Sequence, residues 1–176
     1  MRTPYDSCDG CPYKNRMHLD KDIYGINGVP LFPEINGGNT LLVFQSPGIN
    51  EWISGRPISS NNKKSAAYKI EKALSLVGKT RRDFDITNSI QCYTGKLPED
   101  GTSKPRDKPV DNRAIEVCSN RLQDLISSNK YKKIVFFGQV AKKVASRIEL
   151  PENTIMEYSA HPSARSASAK SIAEFL

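Results

Sequence analysis

Four cysteines are the residues whose type and spacing most directly suggest chemistry. Cys8 and Cys11 form a Cys-x-x-Cys pair in "SCDGCPY", and Cys92 and Cys118 are the other two cysteines of the chain. A short loop of this kind can place two thiolates on one metal ion or cluster, or it can form a redox pair. Structural disulfides are not expected in a cytosolic protein. We therefore interpret the four cysteines as a four-thiolate site for iron–sulfur or zinc, with free buried cysteines as the alternative.

A polar turn follows the first long apolar run of the chain, in "LLVFQSPGINEWISGRPI" (41–58). The apolar residues end at Gln45, and Ser46, Pro47 and Gly48 follow. A turn that contains glycine can bring backbone N–H groups close to a ligand. The chain contains neither G-x-G-x-x-G nor G-x-x-x-x-G-K-[ST], so the dinucleotide-binding and P-loop motifs are excluded.

Two further polar residues stand where apolar runs end. Asn88 follows "FDIT", and its planar amide could pair with the edge of a nucleic-acid base. His161 precedes Pro162 and could donate a hydrogen bond to a developing anion. Taken alone, a strand-end asparagine and a solvent-facing turn histidine are the more common outcomes.

Composition and charge limit the possible classes. The chain has 176 residues, a net charge of +7 and 38% hydrophobic residues, which suits one soluble domain covering residues 1–176. The basic charge favours a polyanionic partner, nucleic acid first and an anionic membrane second, although basic charge also serves plain solubility. No apolar run is long enough to span a bilayer, and the N-terminus lacks the apolar core of a signal peptide. We expect a cytoplasmic protein.

The hydrophobic pattern predicts the elements that must position these residues. Residues 1–39 are irregular, whereas the continuous apolar run 39–45 is typical of a buried parallel strand. Apolar residues at helical spacing predict helices over 61–77 and 113–128. The remaining predictions are strands at 84–92, 132–138 and 153–160, a long loop at 93–112, a helix after Gly138, a turn at 161–168 and a terminal helix.

Alternating strands and helices predict a parallel sheet with helices on both faces. Ligands of such sheets bind at the carboxyl ends of the strands. Those ends carry residues 45–48, 87–88, 138–139 and 161–163, so we expect the site at this rim. A run of seven basic residues between 63 and 82 is interpreted as a solvated helix face, or as a phosphate track if it shares a face with the rim.

The order of these blocks along the chain resembles the type 4 uracil-DNA glycosylases, the iron–sulfur branch of their superfamily. The blocks are Cys-x-x-Cys, "QSPG" after a strand, "GRP", "TNSIQC", a helical cysteine, "IVFFGQVA" and "HPS". They cover the chain from about residue 5 to 166. The set of blocks is specific, although no single block is.

The resemblance implies a fold and a cofactor. The fold would be a three-layer α/β/α sandwich around a four-stranded parallel sheet, which agrees with the predicted strands. The four cysteines, Cys8, Cys11, Cys92 and Cys118, would hold a [4Fe–4S] cluster.

The resemblance also implies a base that is flipped out of DNA into the rim pocket. Asn88 would bind the base edge, and His161 would donate a hydrogen bond to the uracil O2 as the bond breaks. The turn would provide Gln45 as a catalytic residue, and Ser46, Pro47, Gly48 and Ile58 would contact the base. The loop "HPSARS" would press into the minor groove through Ser163, Arg165 and Ser166.

Two substitutions separate the chain from the family pattern. Gln45 stands where the family has an acid in "GEAPG", and Ser46 stands where type 1 enzymes have the aspartate of "GQDPYH". The nearest carboxylates in sequence are Glu51 and Asp85. Ile58 replaces the phenylalanine on which the family stacks the base. Because such stacking contributes about 1–3 kcal/mol per base, we expect uracil to be held less firmly, with room for a bulkier base.

The spacing of the cysteines also differs. Cys92 and Cys118 are separated by 25 residues, about ten more than is usual in the family. The extra length is the charged loop 97–108, and loop closure tolerates it because the entropic cost grows slowly with length. We expect this loop beside the strand that ends at Asn88, where it would touch DNA or a substituent on the base.

The sequence therefore predicts a monomeric, monofunctional DNA glycosylase that removes uracil from double- or single-stranded DNA and leaves an abasic site, without a membrane partner. One alternative is a glycosylase for a different modified base. Another is a non-catalytic DNA-binding protein that keeps the fold and cluster. A zinc-ribbon-like nucleic-acid binder is disfavoured by the alternation of strands and helices.

Overall fold

The apolar runs form the strands of a central sheet, with helices between them. A computed structural model describes residues 8–14, 30–97 and 106–176. The strands are β1 (Thr40–Phe44), β2 (Asp85–Asn88), β3 (Lys96–Leu97), β4 (Arg106–Asp107), β5 (Lys133–Phe137) and β6 (Ile155–Ser159). The helices are α1 (Ile49–Ser54), α2 (Ala66–Leu76), α3 (Asn112–Ser127), α4 (Gln139–Ala145) and α5 (Ala169–Ala173), and a 3₁₀ turn spans Arg81–Asp83.

The four-stranded sheet is parallel throughout, with the strand order β2-β1-β5-β6. Every residue of β1 is buried, because the central strands are covered on both faces. Leu41 and Val43 pack on one face with α3 and α4, whereas Leu42 and Phe44 pack on the other with α2 and α5. The predicted three-layer α/β/α arrangement around four parallel strands is therefore confirmed.

The amino end of β2 is anchored away from the strand ends that were predicted to form the site. The Asp85 carboxylate accepts backbone N–H bonds from Asn36, Gly37 and Gly38 at 2.7, 2.9 and 3.2 Å. It also accepts a bond from the hydroxyl of Tyr131 at 2.8 Å. Asp85 therefore has a structural role at the opposite end of its strand from Asn88.

Some predicted boundaries were wrong. The second strand was predicted over 84–92, but it ends at Asn88. The first helix was predicted from residue 61, but α2 begins after Ser65, whose hydroxyl caps the backbone N–H of Tyr68 at 3.2 Å. The short helix α1 was not predicted; its backbone is capped at Gly48 by the side chain of Glu51. Short caps of this kind are set by local hydrogen bonds rather than by hydrophobic periodicity.

The segment 93–112 was predicted as a loop but contains an antiparallel ribbon of β3 and β4. Lys96 pairs with Asp107, and their side chains form an ion pair at 2.6 Å. The backbone N–H of Lys108 donates to Gly95 O at 2.9 Å and continues the pairing. Residues 98–105 lie outside the described parts of the chain. Within the described ranges, no helix is both long and apolar enough to cross a membrane.

Candidate active site

A pocket of about 330 Å³ opens at the carboxyl ends of the parallel strands. Most of the residues that were predicted for the site line it: Gln45, Ser46, Gly48, Ile58, Asn88, His161 and Ser163. These residues come from the ends of β1, β2 and β6 and from the segment after α1. Thr87, Gln139 and Pro47 are not part of the lining. The topology thus brings together residues that lie more than 100 positions apart in the sequence.

The amide of Gln45 is held in one orientation. Its Oε1 accepts the backbone N–H of Val140 at 3.1 Å. Because a backbone N–H can only donate, the atom that it meets must be the amide oxygen. The NH₂ group of Gln45 is therefore the part of the amide that remains for a ligand, and it can only donate.

Gly138 allows the side chains of Gln45 and His161 to lie side by side. A Cβ at this position would stand 2.7 Å from Gln45 Cδ and 2.9 Å from His161 Cβ. The residue also has a φ of 92°, in a region that side-chain-bearing residues rarely adopt. Any side chain at residue 138 would therefore disrupt the pocket.

Asn88 is 5% exposed, and its Oδ1 has no hydrogen-bond partner among the described residues. Leaving a buried acceptor unsatisfied costs about 1–3 kcal/mol. Such groups are rare in folded proteins and call for an explanation. A ligand that donates a hydrogen bond to Asn88 within the pocket would provide one.

The imidazole of His161 has a defined tautomer. Its Nδ1 accepts the backbone N–H of Ser163 at 3.2 Å and lies 2.7 Å from the hydroxyl of the same serine. In the neutral ring the proton must therefore be on Nε2. Burial, and then the charge of Lys69, lower the pKa of His161 to about 4. At neutral pH, His161 is an uncharged donor through Nε2–H.

Ile58 lines the pocket with an unusual backbone conformation. It is 4% exposed and has a φ of 45°, which is uncommon for a β-branched residue. Arg81 holds this segment, because its guanidinium donates to Ile58 O at 3.0 Å and to Pro57 O. Glu34 in turn binds Arg81 Nε at 2.8 Å. Arg81 was assigned to a solvated basic face, but it acts as a clamp on the pocket wall.

Two carboxylates in the pocket lining were not predicted as site residues. Glu51 is half-buried, and its Oε2 accepts the backbone N–H of Gly48 at 2.7 Å. Burial raises the pKa of Glu51, although hydrogen bonds from the backbone N–H groups of Glu51 and Gly48 oppose that shift. Asp107 reaches the pocket from the β3–β4 ribbon, together with Lys108. The sequence signal for Glu51 was its position three residues after Gly48, from which a glutamate can reach back to a backbone N–H at the start of a helix.

The loop after His161 is held by a lysine from α2. Lys69 Nζ donates to Ala164 O at 3.2 Å and to Ala167 O at 2.9 Å. Arg165 and Ser166 are exposed on this loop and do not line the pocket. Their predicted contact with DNA remains a prediction.

All four cysteines are buried and lie in one hydrophobic cluster. They come from the segment 8–14, from the residues after β2 and from α3. Burial first, and then the proximity of the other thiols, raises the pKa of Cys92. Arg121 approaches the group, with Nη1 3.6 Å from Cys8 Sγ. Among the described residues, no three His, Cys, Asp or Glu side chains are close enough together to hold one metal ion.

Residues 31–176 match the family described as the Uracil DNA glycosylase superfamily. The chain is also 28% identical over 137 residues to a protein named Type-4 uracil-DNA glycosylase from Pyrobaculum aerophilum. The matched region is 78% of this chain and 58% of that relative, so this chain spans less than two thirds of the relative's length.

Proposed function

The chain belongs to the uracil-DNA glycosylase superfamily, and we propose that it is a DNA glycosylase. Such an enzyme flips an altered base out of DNA and hydrolyses its N-glycosidic bond, which leaves an abasic site. The observation that carries the proposal is the pocket at the strand ends. There the unpartnered Oδ1 of Asn88 lies with the donors of Gln45 and His161 in one cavity.

Uracil is the base that this arrangement suits best. Its edge presents an N–H donor between two carbonyl acceptors. Asn88 Oδ1 would accept the N–H, while the NH₂ group of Gln45 would donate to a carbonyl. Gln45 cannot turn its oxygen toward the base without losing the bond from Val140 N–H. An exocyclic amine at that position, as in cytosine, would face a second donor, which leaves both groups unsatisfied.

His161 would act on the leaving base. When the glycosidic bond breaks, negative charge develops on the base, and preorganised donors stabilise that charge. A donor that is already fixed in position requires no reorganisation during the reaction. The bonds from Ser163 fix the ring of His161 and direct Nε2–H away from Ser163. We assign to His161 the stabilisation of the departing anion.

A different altered base is the second candidate, and the β3–β4 ribbon favours it. Asp107 and Lys108 lie in the pocket lining, where they add charged groups to the wall. Ile58 would provide no aromatic surface for a pyrimidine, since stacking on such a surface contributes about 1–3 kcal/mol per base. A larger base with polar substituents would use both features.

We interpret the four cysteines as ligands of a [4Fe–4S] cluster rather than of a single metal ion. In a single-zinc site all four sulfurs lie about 2.3 Å from one point, and the described side chains form no group that tight. In a cluster each thiolate can bind a different iron, so the sulfurs are spaced more widely. We propose that Cys8, Cys11, Cys92 and Cys118 hold this cluster. When bound, it would supply a cross-link between the segment 8–14 and the sheet domain.

We propose that DNA contacts the loop after β6 and the exposed lysines and arginines of the basic run between 63 and 82. Arg165 and Ser166 are exposed, and Ser163 joins the loop to the pocket. Lysines and arginines that contact phosphates release counterions, so binding should weaken steeply as salt increases.

The proposal is tested by a base-release assay. Oligonucleotides that carry uracil or other altered bases, in single strands and in duplexes, are incubated with the protein and then treated with alkali. We expect cleavage at the altered base, with uracil among those released. If no base is released while labelled duplex still binds, the protein is a non-catalytic DNA-binding protein.

Variants in the pocket test the assigned roles. We expect His161→Ala to reduce the single-turnover rate by about 10²-fold or more, as for the loss of one preorganised donor. We expect a loss of similar size, about 10²-fold, for Asn88→Ala, because the acceptor that positions the base is removed. Asn61→Ala is the matched control, because Asn61 is exposed and lies outside this pocket. Rates equal to that of the control would show that Asn88 and His161 take no part in the reaction.

A further inference from the structure

We propose that Glu51 supplies the catalytic carboxylate that position 45 lacks, by accepting a proton from the water that attacks the sugar. The inference rests on the proposed glycosylase function. Gln45 cannot take this role, since an amide does not accept a proton at neutral pH and its oxygen is bound to Val140 N–H. Ser46, the next residue, carries no charge.

Among the described residues, Glu51 and Asp107 are the carboxylates that line the pocket. Asp107 is paired with Lys96 at 2.6 Å, and its side chain is 49% exposed. Glu51 forms no ion pair within the described part of the chain and is half-buried. A carboxylate that is not neutralised by a cation and is shielded from bulk water is the better proton acceptor.

The carboxylate of Glu51 is held in place but keeps acceptor capacity. Backbone N–H groups of Gly48 and of Glu51 itself bind it, and the bond from Gly48 is 2.7 Å long. An ionised carboxylate has about four acceptor positions. At least one position is therefore free to receive a hydrogen bond from a water in the pocket.

The surroundings of Glu51 favour proton transfer. Burial, and to a smaller extent the charge of Asp107, raise its pKa, which brings it nearer to neutral pH and makes it a stronger base. Within the described ranges, the other titratable groups that share the pocket are Lys108 from the ribbon and His161 after β6. With His161 uncharged, Glu51 is not paired with an imidazolium.

The proposed step balances as a hydrolysis. The water oxygen forms a bond to the sugar C1′ as the C1′–N bond breaks, and the bonding electron pair leaves with the base. His161 Nε2–H donates a hydrogen bond to the resulting anion. One proton of the water passes to Glu51 and is then released to solvent, from which the base is protonated.

The competing interpretation is that Glu51 only caps α1, because its side chain accepts the backbone N–H of Gly48, the residue that precedes the helix. The variant Glu51→Gln separates the two roles. Glutamine keeps an oxygen that can accept the bond from Gly48 but cannot take a proton. A capping role alone therefore predicts an unchanged rate for E51Q.

The test compares single-turnover rates on the base that the wild-type protein releases fastest. We expect the single-turnover rate of E51Q to be lower than that of the wild type by about 10²-fold or more, as for removal of a general base. Its Kd for the same DNA and its melting temperature should stay unchanged. Glu71→Gln, an exposed carboxylate on α2, serves as the matched control. An E51Q rate equal to that of the control overturns the inference.

A pH profile of the wild-type protein is a second, independent measurement. Glu51 works as the ionised base, so the rate should fall as the pH is lowered through its raised pKa, above the usual 4.5. The pKa of His161 is lower, at about 4, because the imidazole is buried and lies near Lys69. The pH profile of E51Q should lack the fall in rate that is caused by protonation of Glu51. A flat profile in this range overturns the inference even if E51Q fails to fold, whereas absence of any base release by the wild-type protein overturns the proposed function itself.

Discussion

At the scale of the residue, the pocket depends on which atom of each side chain is available. Gln45 offers a donor because Val140 N–H binds its oxygen. Asn88 offers an acceptor because its Oδ1 has no partner in the described chain. His161 offers a donor because Ser163 binds its Nδ1. A donor, an acceptor and a second donor match the edge of uracil.

The roles of positions 45 and 51 can be tested together. If Glu51 is the catalytic base, a carboxylate placed at position 45 in the E51Q background should replace part of its function. We expect the double variant to react about tenfold faster than E51Q. The reason is that Gln45→Glu keeps an oxygen for Val140 N–H and returns a charge to the same pocket. Single-turnover rates of E51Q and of the double variant decide the point.

Gln45→Leu in the E51Q background is the control, because it changes the same residue without adding a charge. No difference between the leucine and glutamate double variants would mean that a carboxylate at position 45 cannot replace Glu51.

At the scale of the element, the pocket depends on a few long-range clamps between segments. Lys69 on α2 binds two carbonyl groups of the loop after His161. Arg81 binds the carbonyls of Pro57 and Ile58. In both cases a long cationic side chain fixes a segment that has no regular secondary structure of its own. The segments that line the pocket beside Ile58 and His161 are therefore held by residues outside the lining.

The Lys69 clamp makes a specific prediction. Lys69→Met keeps most of the apolar stem but loses both hydrogen bonds and the charge. We expect weaker binding to substrate DNA, a slower release of base, and a loss of about 1–3 kcal/mol in stability, as for a broken charged hydrogen bond. Because Lys69 lowers the pKa of His161, the titration midpoint of that imidazole should rise.

The matched control is Lys72→Met, three residues further along α2. Lys72 lies over the ring of Tyr68 at 4.9 Å. The His161 titration, followed by NMR, should resemble the wild type in this control, because Lys72 makes no bond to the loop after His161 within the described chain. Equal titration midpoints in both variants would contradict the proposed coupling between Lys69 and His161.

At the scale of the whole molecule, the buried cysteines join parts of the chain that are far apart in sequence. The segment 8–14 contributes Cys8 and Cys11, and it packs in the same hydrophobic cluster as α3 and α4. A group bound by all four thiolates would restrict the separation of these parts in the unfolded chain. Stability and the bound group should therefore be coupled.

The cluster proposal predicts a brown protein with iron and sulfide when it is purified without oxygen. Cys92→Ser should lose the visible absorption and should melt several degrees lower, because a buried thiolate ligand is replaced by a weaker one. Metal analysis, absorption spectra and melting curves check these outcomes. A colourless wild-type protein with one zinc ion would contradict the cluster.

The sequence by itself determined the sheet and the set of chemical groups at its rim. Apolar runs within 39–45 and 132–138 predicted strands buried on both faces, and β1 and β5 lie there. Parallel strands place their carboxyl ends at one edge, so Gln45, Asn88 and His161 were expected together and do line one pocket. These inferences needed only local hydrophobicity and the rule for parallel sheets.

Only the tertiary structure decided how those groups are oriented and which others join them. The bond from Val140 to Gln45 and the bonds from Lys69 to the loop after His161 join residues about 95 positions apart. The approach of Asp107 to the pocket and the burial of Glu51 likewise depend on distant segments. Periodicity and spacing report the neighbours of a residue along the chain, whereas hydrogen-bond direction and desolvation depend on its neighbours in space.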